Sequence, residues 1–89
     1  MSELLTGDEK LVRILAEVLE RRRQEVGISQ EELAKRAGIS RTYLSDIERG
    51  LRNISVGTLS KLAAAMGIAP SKLLATAEAR ATTNGTPLP

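Results

Sequence analysis

The feature that most restricts how this chain can fold is a repeated punctuation. A serine opens and a glycine closes three short segments in succession: Ser29 to Gly38, Ser40 to Gly50 and Ser55 to Gly67. A serine hydroxyl suits a helix N-cap, and glycine best tolerates the left-handed turn that ends a helix. Only Ile39 lies between the first two segments. Two short helices joined by so tight a turn form one compact motif, placed at residues 29–49, with the third helix running from Arg41 to about Arg49. Ser29-Gln-Glu-Glu32 also reads as a capping box, in which the hydroxyl accepts from the Glu32 amide and the Glu32 carboxylate reaches back.

The flanking segments are helical too. Leu11, Ile14, Leu15, Val18 and Leu19 recur at three- and four-residue spacing from Asp8 onward and make one apolar stripe. Asp8 and Glu9 favour the positive end of that helix dipole, and Arg21, Arg22 and Arg23 its negative end, before Gly27 stops it. A fourth helix, capped by Ser55, carries Leu59, Leu62, Ala63 and Met66 inward. Pro70 suits the first turn of a fifth, with Leu73, Leu74 and Ala77. The domain boundaries drawn from this are a flexible leader at 1–10, a folded domain at 11–80 and a disordered tail at 81–89.

Composition agrees with an all-α, five-helix architecture. Tyr43 is the one aromatic residue, so the core is aliphatic, as in small helical bundles rather than β-sandwiches. Cys and His are both absent, which excludes disulfides, zinc fingers, thiol catalysis and imidazole acid–base chemistry. No base–nucleophile constellation and no phosphate-cradling glycine loop is present, so an enzyme is a poor reading, and neither a cofactor, a metal nor a small-molecule ligand is expected. No signal-peptide pattern is seen and no apolar run approaches the roughly 18 residues of a membrane helix, so a cytoplasmic protein without membrane contact is expected.

The net charge of +2 says little about a partner, but its distribution says more. Lys35, Arg36, Arg41, Arg49 and Arg52 oppose only Asp46 and Glu48 between residues 35 and 52. A locally positive segment is what phosphate binding needs. The third helix also divides cleanly at about 100° per residue. Leu44, Ile47 and the Tyr43 ring fall on one side; Arg41, Thr42, Ser45, Asp46 and Arg49 fall on the other. A helix with a small, hydrogen-bonding outer face can lie in a DNA major groove.

Ser29-Gln-Glu-Glu-Leu-Ala-Lys-Arg-Ala-Gly38, Ile39-Ser-Arg-Thr-Tyr-Leu-Ser-Asp-Ile-Glu-Arg-Gly50 and Thr58-Leu-Ser-Lys-Leu-Ala-Ala-Ala-Met-Gly67 together resemble the Cro/C1-type (XRE) helix-turn-helix family. The resemblance runs from about Leu15 to Leu74. It implies a compact, lambda-repressor-like fold. Within the family, Arg41-Thr-Tyr43, Ile47-Glu-Arg-Gly50 and Arg52-Asn-Ile-Ser55 look most like controller proteins of restriction–modification systems.

The resemblance implies roles residue by residue. Arg41, Thr42, Ser45 and Asp46 occupy base-reading positions. Gln30, Ser40, Tyr43, Arg49, Arg52 and Asn53 fall where relatives meet the DNA backbone. Arg23 and Glu48 match a structural ion pair. A bland reading stands beside several of these. Asp46 fits either a cytosine amine or an intramolecular pair with Arg41 or Arg49. Tyr43 fits either the edge of the core or a contact to DNA. Arg21 and Arg22 fit helix-end solvation better than a phosphate patch. Two positions depart from the family: Ile54 stands where proline is common, and Ala69 replaces the usual cap of the fifth helix.

One recognition helix buries little surface, and specificity usually takes two of them about 34 Å apart. A homodimer on an inverted repeat is therefore expected, with Met66, Ile68, Leu73 and Leu74 at its interface and a possible contact to RNA polymerase. The rival reading is a protein-interaction module, an antitoxin or adaptor, using the same fold.

Overall fold

The computed structural model describes residues 7–83, in which five helices follow one another and no strand occurs among them. They are α1 (Gly7–Val26), α2 (Gln30–Ala37), α3 (Arg41–Glu48), α4 (Val56–Ala65) and α5 (Pro70–Thr83). The predicted punctuation sets the boundaries. Ser29, Ser40 and Ser55 are each extended N-caps whose hydroxyls accept from the amides of Glu32, Tyr43 and Thr58 at 3.0 Å. The capping box is only half made, because Glu32 Oε2 accepts instead from Arg36 Nε at 2.9 Å.

Gly38 shows why glycine stands at the helix ends. Its φ of 73° is left-handed, a region costly for residues with a Cβ. That turn lets the Gly38 amide donate to Lys35 and the Ile39 amide donate to Ala34. Both bonds satisfy carbonyls that the end of α2 would otherwise orphan. Ile39 is thereby drawn onto the core as the chain reverses into α3.

The core gathers one face from every helix. Leu19, Leu33, Leu44, Leu62 and Leu73 are its largest fully buried side chains, one from each helix. Each such burial contributes about 1.5–3 kcal/mol. α1 packs mainly on α5, α2 on α3 and α4, and α3 also on α1. At eight residues, α2 and α3 are too short to persist alone, so Leu33, Ala34, Leu44 and Ile47 hold them by packing.

Two expected boundaries move. α1 already runs at Gly7, so residues 7–10 belong to the helix rather than to a leader. α5 continues to Thr83, and Ala81 is fully buried, so residues 81–83 are not tail. The reason is the spacing of Leu73, Ala77 and Ala81, four residues apart, which keeps one small-residue face of α5 in the core. The rest of the expected leader and tail, 1–6 and 84–89, lies outside the described residues.

Candidate nucleic-acid interface

The candidate interface is centred on α3. Leu44 and Ile47 point into the core with 0% and 2% exposure, which fixes the rotation of the helix about its axis. That rotation leaves Arg41 and Thr42 exposed in the first turn and Arg49 exposed at the C-cap. Ser45 and Asp46 are half-buried on the same outer side. Ser40 is exposed, and its oxygen caps the helix. Asn53 is exposed in the loop after α3. Neither Arg41 nor Thr42 has a side-chain partner among the described residues, and nothing in the packing requires either.

A buried charge cluster fixes the far end of α3. Arg23 Nε and Nη2 donate to the two Glu48 carboxylate oxygens at 2.8 and 3.1 Å, and Arg23 Nη1 donates to the Ile28 carbonyl at 2.9 Å. The Glu48 side chain is 2% exposed and that of Arg23 12%. The hydrogen bonds to Glu48 raise the Arg23 guanidinium above its ordinary pKa, against the lowering effect of partial burial. Thus α1, the α1–α2 loop and α3 share one ionic clamp. Gln30 joins it, donating from Nε2 to Glu48 Oε1 at 2.9 Å. One N–H of the Gln30 amide is thus engaged by Glu48, while the half-buried side chain keeps its second N–H at the start of α2.

Other expected residues are placed elsewhere. Met66 and Leu73 are buried within the protomer, at 3% and 1% exposure, so they cannot line a dimer interface. Leu73 is covered where α5 packs on α1 and α4, and Met66 lies inward at the end of α4, as its apolar spacing predicted. Ile68 and Leu74 remain half-buried. Arg22 serves the fold: Nη2 donates to the carbonyl of Met66 at the end of α4, at 2.8 Å, while its Nε is buried without a partner. Asp46 does pair within the molecule, but with neither of the arginines expected. Its carboxylate stands 3.7 Å from Arg52 Nε. The Arg52 guanidinium also lies over the Tyr43 ring, 5.4 Å from its centroid. Tyr43 itself is half-buried against the core. Sequence reasoning missed the Arg52 contacts and that of Gln30. The available signal for the first was the i,i+3 spacing of Tyr43 and Asp46, which puts both on the strip of α3 that faces the loop.

Among the described residues no cluster of His, Cys, Asp or Glu could hold a metal ion, and no helix is long and apolar enough to cross a membrane.

A short helix seated by its apolar face behind a glycine turn, with a polar face left outward, defines a helix-turn-helix domain. The chain belongs to the helix-turn-helix family HTH_3, whose profile matches residues 19–73. It is similar to the "hypothetical transcription factor" of Neisseria meningitidis serogroup B, 41% identical over 70 residues that cover 79% of this chain and 66% of that protein. It is also similar to the control protein C.BamHI of Bacillus amyloliquefaciens, 49% identical over 47 residues that cover 53% of this chain and 58% of the relative. The matched stretches span at most 66% of the length of these two curated relatives. Among solved structures, the restriction–modification controller protein C.AhdI from Aeromonas hydrophila superposes with a TM-score of 0.67 at 41% identity, covering 71% of this chain and 94% of that one.

Proposed function

We propose that this chain binds double-stranded DNA in a sequence-specific way, as a homodimer on an inverted repeat, and thereby regulates transcription. The observation that carries the reading is the outer face of α3. Arg41 and Thr42 are exposed and unengaged at the start of a helix whose orientation Leu44, Ile47 and the Arg23–Glu48 clamp hold rigid. A charged fork and a hydroxyl on a narrow helix face match the hydrogen-bonding edges of base pairs in the major groove. In this reading Arg41, Thr42 and Ser45 face base edges. Ser40, Arg49, Asn53 and the amides at the start of α2 face phosphates.

The similarity to control proteins supports a regulator of transcription. The dimer would use the half-buried apolar residues Ile68 and Leu74, and a contact to RNA polymerase would link binding to transcription. The test is selection of binding sites from a random duplex library, followed by titration of the winning site at two salt concentrations. A palindromic consensus, two chains per site and a steep fall of affinity with salt are expected. Recovery of no consensus, with the protein folded, refutes the reading.

A further inference from the structure

The reading surface does not stop at α3. Tyr43 and Asp46 stand one turn apart on that helix, and the Arg52 side chain from the following loop lies across both. Its guanidinium is over the Tyr43 ring at 5.4 Å and its Nε is 3.7 Å from Asp46 Oδ2. The arginine side chain remains 57% exposed and the aspartate 26%. We infer that Arg52 is a specificity-determining residue that reads a base edge, and that Asp46 is the positioning residue that aims it. This rests on the DNA-binding role proposed above.

Three points lead there. First, a loop arginine that served only a phosphate would gain nothing by lying along the recognition helix. Here two separate contacts, with the Tyr43 ring and the Asp46 carboxylate, place it along α3. Second, an acid on a DNA-facing surface is electrostatically unfavourable unless it is paired, and Arg52 is the cation that pairs it. Asp46 is then spent on Arg52 and does not accept from a cytosine. Third, a guanidinium is a planar fork. The Arg52 side chain is 57% exposed and no hydrogen bond engages its terminal N–H groups among the described residues, so the fork is available to match O6 and N7 of guanine.

The experiment uses the full chain and the duplex site that it selects. Each base pair of one half-site is changed in turn, and affinities are measured for the unaltered protein and for Arg52→Ala, Arg52→Lys and Asp46→Asn, with circular dichroism confirming the fold of each. Arg52→Ala is expected to lose roughly 5- to 150-fold of discrimination at one base pair of each half-site. Arg52→Lys should not restore it, since lysine keeps the charge but not the fork. Asp46→Asn should lose discrimination at that same base pair. Two results overturn the inference: a uniform weakening by Arg52→Ala that Arg52→Lys repairs, or a loss with Asp46→Asn at a different base pair. Failure of the unaltered chain to select any site would overturn the DNA-binding reading beneath it, and is told apart because no variant is needed to see it.

Discussion

Arg23 on α1 and Glu48 at the last turn of α3 are joined by two hydrogen bonds, 2.8 and 3.1 Å, in a place where the carboxylate is almost wholly removed from water. Removing one member of such a pair leaves an uncompensated buried charge, which costs about 3–5 kcal/mol. Glu48→Ala is therefore expected to lower the unfolding free energy by that order, because Arg23 keeps only the Ile28 carbonyl and Gln30 loses its acceptor. Arg36 and Glu32 pair at a similar distance, 2.9 Å, but each side chain is 45% exposed. Glu32→Gln should cost less than about 0.5 kcal/mol. Urea unfolding followed by circular dichroism separates the two, and equal costs would show that burial is not what matters.

Glycine has opposite worth at two positions. At Gly38 a Cβ would meet nothing within 4 Å, yet φ is 73°. Gly38→Ala therefore has a backbone cost alone, about 1–2 kcal/mol. Gly57 lies in the first turn of α4 with ordinary φ, and its Cβ would meet Ser55 Oγ at a comfortable 3.9 Å. Gly57→Ala should raise stability by about 0.4–1 kcal/mol by narrowing the unfolded ensemble. Thermal midpoints moving in opposite directions are the expected result.

These local features were legible in the sequence because their physics is local. Ser29, Ser40 and Ser55 cap amides three residues away, and the terminal glycines turn the chain within their own segments. The split of α3 into an inner and an outer face was legible for the same reason. What the sequence concealed depended on distant partners. Ala81 carries almost no hydropathy signal and sits before two threonines, so only its packing in the core reveals that α5 continues. Leu73 shows that an apolar stripe states a need for cover without saying which element supplies it. Gln30 and Arg52 look like free polar side chains until Glu48 and Asp46 are brought beside them, which requires the tertiary turn between helices.

Ser40 links stability to binding. Its oxygen caps α3 at the turn that carries Arg41 and Thr42. Ser40→Ala should cost about 1 kcal/mol in stability and also weaken DNA binding, as the first turn frays. Ser40→Asp supplies an equally good cap but turns a negative charge toward phosphate. It is expected to hold stability near that of the unaltered protein while reducing affinity for any duplex. If Ser40→Asp bound as well as the unaltered chain, the start of α3 would not face the backbone.

Arg41 and Arg49 stand at opposite ends of α3, both exposed, and the proposed docking gives them different work. Arg41 sits in the first turn, the part of a recognition helix that reaches base edges, and has no side-chain partner among the described residues. Arg41→Ala should remove about 1–3 kcal/mol of discrimination at one base pair in each half-site and leave binding to unrelated duplexes less affected. Arg49 sits at the C-cap, where the chain leaves the groove. Arg49→Ala should weaken binding to all sequences alike and reduce the slope of log affinity against log salt by about one per protomer. Titrations on the selected site, a site altered at one base pair and a random duplex, each at two salt concentrations, measure both effects. An exchange of the two signatures would mean that α3 enters the groove by its other end.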